Sequence, residues 1–302
     1  MERRIFLQHS MVLGTSLALS PSLLAHPKNL SGLEKLTILH TNDTHSNIDT
    51  FPDNHSKYPN QGGVARRFSL IQEIRSKETN VLLLDAGDIF QGTPYFNKYG
   101  GVLEMKLMSK MGYDCCTMGN HDFDAGIDGF IKAQKYADFP FVCSNYDFNN
   151  TDLKDLTFPY KTFQKGQFKV GVFGLGPELQ GLVAKSNYQD TTYNDPISIS
   201  NKWAKHLRYE EECDIVICLS HLGYEPKQNE MCDLVLAKET EEIDLIIGGH
   251  THTFLDKPEV HKNKNGEKVL INQVGWAGLA LGRIDFYLGE TKKHKRHELI
   301  MV

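Results

Sequence analysis

Short apolar runs that end in clusters of polar side chains are the feature that most constrains how this chain can fold. The clearest run spans residues 113–118 and has the composition of a buried strand. It is followed at once by Gly119, Asn120, His121 and Asp122. Polar groups at the end of a buried strand are costly unless they find partners. An aspartate in such a turn can also cap a helix, so this cluster taken alone leaves two interpretations open.

The apolar runs alternate with amphipathic segments, and this alternation predicts an α/β domain. One helix is expected to follow Gly62-Gly63, because Val64 and Ile71 recur at helical spacing. Strands are predicted at residues 36–40, 81–84, 115–118, 141–144, 170–175, 214–219 and 243–247, and helices at 64–74, 102–111, 126–136, 197–212 and 229–240.

The C-terminal part of the chain has a different pattern. Residues 258–261, 268–273 and 281–288, with a turn at Asn265-Gly266, predict consecutive antiparallel strands. The basic cluster at residues 292–296 is interpreted as a solvated tail.

Five of the predicted strands are followed directly by carboxylate, amide or imidazole side chains. In an α/β sheet, ligands bind outside the carboxyl ends of the strands, so these side chains are expected to share one edge. A single histidine or aspartate after a strand is common in ordinary loops, but five such clusters in one chain favour a functional site. The residues concerned are Asp43 and His45, Asp88, Asn120 and His121, His221, and His250 and His252.

The mixture of side chains indicates a metal site. Aspartate, asparagine and histidine ligands without thiolates suit divalent Mn, Fe, Co or Zn. There are too many candidate ligands for one tetrahedral ion and about enough for two. Asp88 stands alone on its strand end and is the candidate for a bridging carboxylate. Two ions roughly 4 Å apart can act together in a displacement at phosphorus.

These clusters resemble the five motifs of the calcineurin-like metallophosphoesterases. They occur in the same order and extend over nearly the whole chain after residue 25. Three further stretches sharpen the resemblance to the catalytic domain of bacterial 5'-nucleotidases. The resemblance implies a four-layer α/β/β/α sandwich of two mixed sheets flanked by helices. The five family motifs are Asp43-Thr44-His45, Gly87-Asp88, Gly119-Asn120-His121-Asp122, His221 and Gly248-Gly249-His250-Thr251-His252. The three stretches that resemble the 5'-nucleotidases are Gly62-Gly63-Val64-Ala65-Arg66, Phe123-Asp124 and Asn272-Gln273-Val274-Gly275.

The resemblance also implies a role for each site residue. One metal ion would be held by Asp43, His45, Asp88 and His252, and the other by Asp88, Asn120, His221 and His250. A water that bridges the two ions would attack the phosphorus as hydroxide.

His121 would face the substrate and protonate the leaving group, and Asp124 would orient its imidazole. Asn120 would also contact the substrate, and Asp122 would support the turn without a catalytic role.

The expected function is hydrolysis of phosphomonoesters, above all nucleoside 5'-monophosphates. The alternatives are a phosphodiesterase acting on 2',3'-cyclic nucleotides or nucleotide-sugar pyrophosphates, and a non-catalytic metal-binding subunit of a two-chain nucleotidase. No C-terminal nucleotide-binding domain is expected in this chain, so a separate protein could supply one.

Four aromatic residues in loops near the expected site could contact substrate, although packing against the core is the favoured interpretation: Phe90, Tyr95, Phe96 and Tyr146.

Residues 1–25 are expected to be a signal peptide of the twin-arginine type, with residues 26–302 as the catalytic domain. Arg3-Arg4 precedes an apolar stretch too short to span a bilayer comfortably, and an ordinary secretory signal is the alternative. The expected location is therefore the bacterial periplasm.

A net charge of -5 and a pI near 6.2 argue against a general nucleic-acid binder. The six cysteines, which include no Cys-x-x-Cys pair, are interpreted as buried free thiols rather than disulfides.

Overall fold

The computed structural model describes residues 33–225, 231–288 and 294–302. The predicted signal peptide at residues 1–25 and the start of the basic cluster, Lys292-Lys293, lie outside the described residues. Among the described helices, none combines the length and the hydropathy that crossing a bilayer requires.

The first sheet has five strands, three of them parallel. β1 pairs in parallel with β2, and β2 with β3, so that Thr41 lies beside Asp85 and Asp85 beside Cys116. Two antiparallel strands complete the sheet on the other side of β1, which gives the order β13-β12-β1-β2-β3. The strands are β1 (Glu34–Thr41), β2 (Val81–Asp85), β3 (Cys115–Cys116), β12 (Ala280–Leu288) and β13 (His294–Met301).

The second sheet has six strands in the order β10-β11-β9-β8-β6-β5. Its central strands β6, β8 and β9 are parallel, and Ser220 at the end of β8 lies beside Gly248 at the end of β9. A separate two-stranded ribbon pairs β4 with β7. The strands are β4 (Tyr146–Asp147), β5 (Tyr160–Lys165), β6 (Phe168–Leu175), β7 (Thr192–Tyr193), β8 (Ile215–Ser220), β9 (Leu245–Gly248), β10 (Glu259–Lys262) and β11 (Lys268–Asn272).

Three buried apolar clusters define four layers. One cluster joins the facing sides of the two sheets, with Ile38 and Leu82 from the first and Val172 and Ile217 from the second. A second covers the outer side of the first sheet and includes helical residues such as Ile71 and Met105.

The third cluster covers the outer side of the second sheet and includes Ala204 and Leu236 from helices. The predicted α/β/β/α sandwich of two mixed sheets is confirmed. The helices are α1 (Val64–Lys77), α2 (Pro94–Tyr99), α3 (Val102–Met111), α4 (Gly126–Gln134), α5 (Lys185–Tyr188), α6 (Pro196–Lys205) and α7 (Asp233–Glu239), with a 3₁₀ turn at His121–Phe123 and a π-helical turn at His206–Glu210.

The C-terminal prediction was wrong in two respects. β10 and β11 form the expected hairpin, but β11 then pairs in parallel with β9, and β12 belongs to the other sheet. The expected tail is also structured, because residues 294–301 pair with β12 as an edge strand. The change of sheet follows from long-range pairing, which adjacency along the chain does not reveal. The edge strand β13, in contrast, pairs with the strand that precedes it in sequence.

Smaller differences concern the loops. Residues 141–144, predicted as a strand, make only isolated bridges at Phe141 and Val142. Tyr95 and Phe96, which were expected in a loop, belong to α2 (Pro94–Tyr99), where Thr93 caps the helix and Pro94 occupies its first turn. All six cysteines are buried free thiols, as predicted.

His40 links the two sheets close to the predicted site. Its Nε2 lies 2.9 Å from the amide nitrogen Nδ2 of Asn272 on β11, so the neutral ring accepts this hydrogen bond. The ring also packs against Gly282 of β12, where no side chain would fit. Complete burial lowers the pKa of His40 to about 3.

This histidine is expected to make stability depend on acid pH. The unfolded chain protonates His40 near pH 6.5, whereas the folded chain does not do so until about pH 3. The unfolded state therefore binds more protons between these values, and stability falls as the pH is lowered through that window, by about 1.4 kcal/mol per pH unit for this group. In denaturant unfolding, His40→Gln should lose less stability than the wild type between pH 7 and pH 5. Parallel losses in the two proteins would contradict this.

Candidate metal centre

The turns that follow β1 and β2 are joined by backbone hydrogen bonds. The N–H of Asp43 donates to the carbonyl of Gly87 over 2.9 Å, and the N–H of His45 donates to the carbonyl of Asp88 over 3.0 Å. A bond between the sheets completes the frame, because the N–H of His250 donates to both carboxylate oxygens of Asp43 at 3.0 Å. The strand ends of both sheets therefore meet at one site. The residue pattern alone had predicted a single sheet edge, and the arrangement of two sheets was implied by the family resemblance.

One half of the site brings together Asp43, His45 and His252, whose ligand atoms lie within 4.8 Å of one another. The Nε2 atoms of His45 and His252 are 3.0 Å apart. Oδ1 of Asp43 lies 3.4 Å from Nε2 of His252 and 3.9 Å from Nε2 of His45.

The other half brings together Asp88, His221 and His250, again with ligand atoms within 4.8 Å of one another. Nε2 of His221 lies 3.0 Å from Oδ2 of Asp88. The same carboxylate oxygen lies 3.8 Å from Nε2 of His45, which belongs to the first half. Asp88 is thus within 4 Å of histidines from both halves.

Hydrogen bonds fix the tautomers of two of these histidines. Nδ1 of His221 lies 2.6 Å from the carbonyl of Ala86, and Nδ1 of His45 lies 3.1 Å from the carbonyl of Phe90. A carbonyl can only accept, so Nδ1 carries a proton in each ring and Nε2 faces the carboxylates, with its lone pair toward them whenever the ring is neutral. Lone pairs beside carboxylates repel one another unless a cation lies between them, so the donor set fits divalent metal ions.

The electrostatics of the two rings differ. Burial disfavours a charged His221, but the carboxylates of Asp88 and Asp43 outweigh it and raise the pKa of His221 to about 10. For His45, burial outweighs the same two carboxylates and the pKa is lowered. The two carboxylates therefore favour a positive charge next to Asp88, whereas the imidazole of His45 is neutral and can offer the lone pair of Nε2 to a metal ion.

Asn120 lies in the turn after β3 and is 6% exposed. Its side-chain oxygen Oδ1 is buried and has no hydrogen-bond partner among the described residues. Buried polar atoms are rarely left without a partner, and an amide oxygen is a suitable ligand for a divalent cation.

His121 occupies a different position from the predicted ligands. Its backbone N–H donates to Oδ1 of Asp88 over 2.8 Å, and Nδ1 of its ring lies 2.8 Å from Oδ2 of Asp124. The centroid of the ring is 5.3 Å from that of His45. The hydrogen bond to Asp124 raises the pKa of His121. The side chain is 38% exposed, so the ring reaches solvent beside the two triads.

Asp122 binds the turn after β2 to the turn after β3. Its carboxylate accepts backbone N–H groups from Gly119, Asp88, Ile89 and Phe90 over 2.8 to 3.2 Å. The supporting role expected for Asp122 matches these contacts.

Five of the seven predicted metal ligands adopt a left-handed backbone conformation. Such φ angles are uncommon outside glycine and cost roughly 1–2 kcal/mol per residue, less for aspartate and asparagine. Side chains held in this way, against local preference, are typical of functional sites. The residues are Asp43 (φ 50°), His45 (φ 47°), Asp88 (φ 55°), His250 (φ 72°) and His252 (φ 54°).

Two glycines leave the space that the ligands occupy. A Cβ at Gly119 would overlap Oδ1 of Asp88 and lie 2.6 Å from Nε2 of His221. A Cβ at Gly249 would lie 2.6 Å from Nδ1 of His221 and 3.0 Å from the carbonyl of Ala86.

Gly119→Ala is therefore expected to weaken metal binding by at least about tenfold, because the methyl group displaces Asp88 and His221 from their positions. Isothermal titration of the metal-free protein would measure the change. Gly266→Ala is a suitable control, because a Cβ there meets no atom within 4 Å although its φ of 79° is strained. That variant should lose stability and keep its metal affinity. Unchanged affinity in Gly119→Ala would contradict the assignment.

Three of the four aromatic residues proposed from the sequence, Phe90, Phe96 and Tyr146, pack onto the core as the favoured interpretation predicted, and Tyr95 does not. Phe90 is fully buried and Tyr146 is 5% exposed. Phe96 packs against the core, and the hydroxyl of Tyr95 donates to Asp49. The aromatic side chain beside the predicted ligands is Trp276, which stacks on His252. Its turn follows Asn272-Gln273-Val274-Gly275, a stretch that carried the family resemblance but to which no ligand or substrate contact was assigned.

Comparison with known proteins agrees with this geometry. Residues 36–254 match the calcineurin-like phosphoesterase family. A trifunctional nucleotide phosphoesterase from Bacillus subtilis, YfkN, is 35% identical over 86% of this chain, and human 5'-nucleotidase is 34% identical over 74% of it. The crystal structure of a 5'-nucleotidase precursor from Thermus thermophilus superimposes with a TM-score of 0.80 and 31% identity over 89% of this chain.

The chain spans only part of these proteins: 18% of the Bacillus protein, 39% of the human enzyme and 54% of the Thermus chain. The match includes the parallel strands β1, β2 and β3 of the first sheet, β6, β8 and β9 of the second, and every turn that carries a predicted ligand. The chain therefore belongs to the calcineurin-like phosphoesterase family.

Proposed function

We propose that this protein is a dinuclear metal-dependent phosphohydrolase that hydrolyses phosphomonoesters, most specifically nucleoside 5'-monophosphates. The observation that carries the proposal is the position of Asp88, whose carboxylate lies within 4 Å of histidines from both triads. A carboxylate in this place is suited to bridge two ions.

Each ion has four protein ligands in the proposed arrangement. Asp43, His45 and His252 would hold one ion together with Asp88. His221, His250 and the buried amide oxygen of Asn120 would hold the other, again with Asp88. The donor set suits Mn, Zn, Fe or Co. Two such ions, when bound, supply an activated water and positive charge for the phosphoryl oxygens.

The protein's own contribution to leaving-group departure comes from His121. Its exposed ring edge faces the site while Nδ1 is held by Asp124, so the proton available for transfer is on Nε2. Donation of this proton to the departing oxygen neutralises the alkoxide as the P–O bond breaks. Asn120 and His121 are consecutive residues in the turn after β3, and in this proposal both contact the phosphoryl group.

The nucleotide substrate is supported by the relatives, which include 5'-nucleotidases of human and bacterial origin. The Bacillus relative is named a trifunctional nucleotide phosphoesterase, so phosphodiesters such as 2',3'-cyclic nucleotides or nucleotide-sugar pyrophosphates are the second candidate class. Export to the periplasm, and recognition of the nucleoside by a separately encoded domain, stay predictions.

A substrate comparison tests the proposal. The metal-loaded protein should release phosphate from adenosine 5'-monophosphate and from p-nitrophenyl phosphate, with much lower activity on bis-p-nitrophenyl phosphate and 2',3'-cyclic AMP. Chelator-treated protein is the control and should be inactive until metal is restored. Preference for the diesters would support the second candidate class. Inactivity of metal-loaded protein on all four would favour a non-catalytic subunit and overturn the proposal.

A further inference from the structure

His252 lacks the support that two of the other histidines receive. His45 and His221 each donate the N–H of Nδ1 to a backbone carbonyl, which fixes the plane of the ring. Such contacts are the usual means of orienting a metal-binding imidazole. Within the described residues, Nδ1 of His252 makes no hydrogen bond, and its side chain is 41% exposed.

Trp276 supplies a different contact. Its indole lies nearly parallel to the imidazole of His252, with ring centroids 5.6 Å apart and an angle of 10° between the planes. Phe51 packs edge-on against the indole of Trp276, with the two ring centroids 5.9 Å apart. Stacked rings resist rotation of either plane, so this contact restrains the torsion that directs Nε2 of His252.

The turn that carries Trp276 is fixed to the turn that carries Asp43. The N–H of Ala277 donates to the carbonyl of Asp43 over 2.7 Å. The side chain of Asn42 donates to the carbonyl of Gly275 over 2.6 Å and accepts from the N–H of Val274 over 2.9 Å. The indole is therefore held in place by the same backbone that positions the first ligand of this half of the site.

The turn also adopts a costly backbone conformation. Gly275, Ala277 and Gly278 all have positive φ angles, of 74°, 56° and 63°. Ala277 is not a glycine and is 1% exposed, so its left-handed conformation is maintained by the surrounding contacts. The turn is thus built to hold one conformation rather than to be flexible.

We propose that Trp276 is a positioning residue for His252. The indole holds the imidazole so that Nε2 faces Asp43 and His45, and this takes the place of the missing ring hydrogen bond. The inference rests on the proposed two-ion function, since it assigns Trp276 to the ion held by Asp43, His45 and His252. Removing the aromatic face would let the exposed ring rotate, and the affinity for that one ion would fall.

Metal binding by two substitutions tests the proposal. Trp276→Phe keeps an aromatic face, and Trp276→Leu keeps apolar bulk without one. In calorimetric titration with Mn²⁺, Trp276→Leu should bind one of two ions about tenfold more weakly and the other with unchanged affinity. Trp276→Phe should stay within about threefold of the wild type. Equal affinities in wild type and Trp276→Leu would overturn the inference while leaving the proposed function intact.

Intrinsic fluorescence gives a readout that is independent of activity. The chain has two tryptophans, and Trp203 packs with Tyr160 and His206 on the outer side of the second sheet. Trp203→Phe therefore leaves Trp276 as the sole tryptophan. Co²⁺ quenches the fluorescence of nearby indoles, so the emission of Trp203→Phe should fall as the ion beside His252 binds. In Trp276→Phe, the emission of Trp203 should be retained.

Absence of quenching in Trp203→Phe at full Co²⁺ occupancy would overturn the inference. If the wild type bound no metal ions at all, the proposed function would fail with it. The unfolding temperature of each metal-free variant, measured by circular dichroism, shows whether a lost ion reflects a misfolded chain. Weaker binding in a Trp276→Leu protein with the wild-type unfolding temperature supports the positioning role.

Discussion

Asp88→Asn is expected to remove both metal ions together and to lower kcat/KM by at least about 10³-fold, equivalent to roughly 4 kcal/mol of transition-state stabilisation. The reason is geometric. Oδ2 of Asp88 lies 3.0 Å from Nε2 of His221 in one half of the site and 3.8 Å from Nε2 of His45 in the other. An amide is neutral and cannot bridge two cations as a carboxylate does. Metal analysis after gel filtration, together with phosphate release, measures both effects.

The matched control is Asp124→Asn, the same chemical change close by. Asp124 contacts the ring of His121 and belongs to neither triad, so this variant should keep two ions per chain. Loss of a single ion in Asp88→Asn, with the second retained at wild-type affinity, would show that Asp88 does not bridge.

His121→Ala should lower kcat by about 10² to 10⁴-fold on a nucleoside monophosphate while the metal content stays at two. The ring of His121 is bonded to Asp124 and partly exposed, and neither triad includes it. Its loss removes a proton donor without removing a ligand. Steady-state kinetics and metal analysis of the same preparation measure the two quantities separately.

The leaving group makes this second prediction sharper. A nitrophenolate departs readily without a proton, whereas a nucleoside alkoxide needs one. The loss in His121→Ala should therefore be much smaller with p-nitrophenyl phosphate than with adenosine 5'-monophosphate. Asp124→Asn should show the same trend with a smaller loss, because the ring remains but is no longer held. A fall in metal content in His121→Ala would instead make His121 a ligand.

The sequence was sufficient to predict which residues would meet. Asp43, Asp88 and His221 each follow a buried strand. Parallel pairing aligns the ends of β1 and β2 in the first sheet and the ends of β8 and β9 in the second. This prediction succeeds because it depends on a strong signal, an apolar run followed by polar groups, and on a general property of parallel sheets. The packing of the two sheets against each other was predicted from the family resemblance, not from the pattern of residues.

Other features depend on contacts between distant parts of the chain. Nothing near His252 in the sequence indicates that Trp276 stacks on it, since the two residues lie on either side of β10 and β11. The pairing of β12 with β1 rather than β11 is likewise decided by burial between the sheets. The left-handed conformation of His45 runs against its local preference and is imposed by hydrogen bonds from the neighbouring turn.

The most direct test of the central claim is a titration of the metal-free protein with Mn²⁺, in which bound ions and phosphate release from adenosine 5'-monophosphate are followed together. Two ions per chain are expected to bind, and activity should appear with the second. Full activity with one ion bound, or no phosphate release with both sites filled, would contradict a two-ion phosphohydrolase.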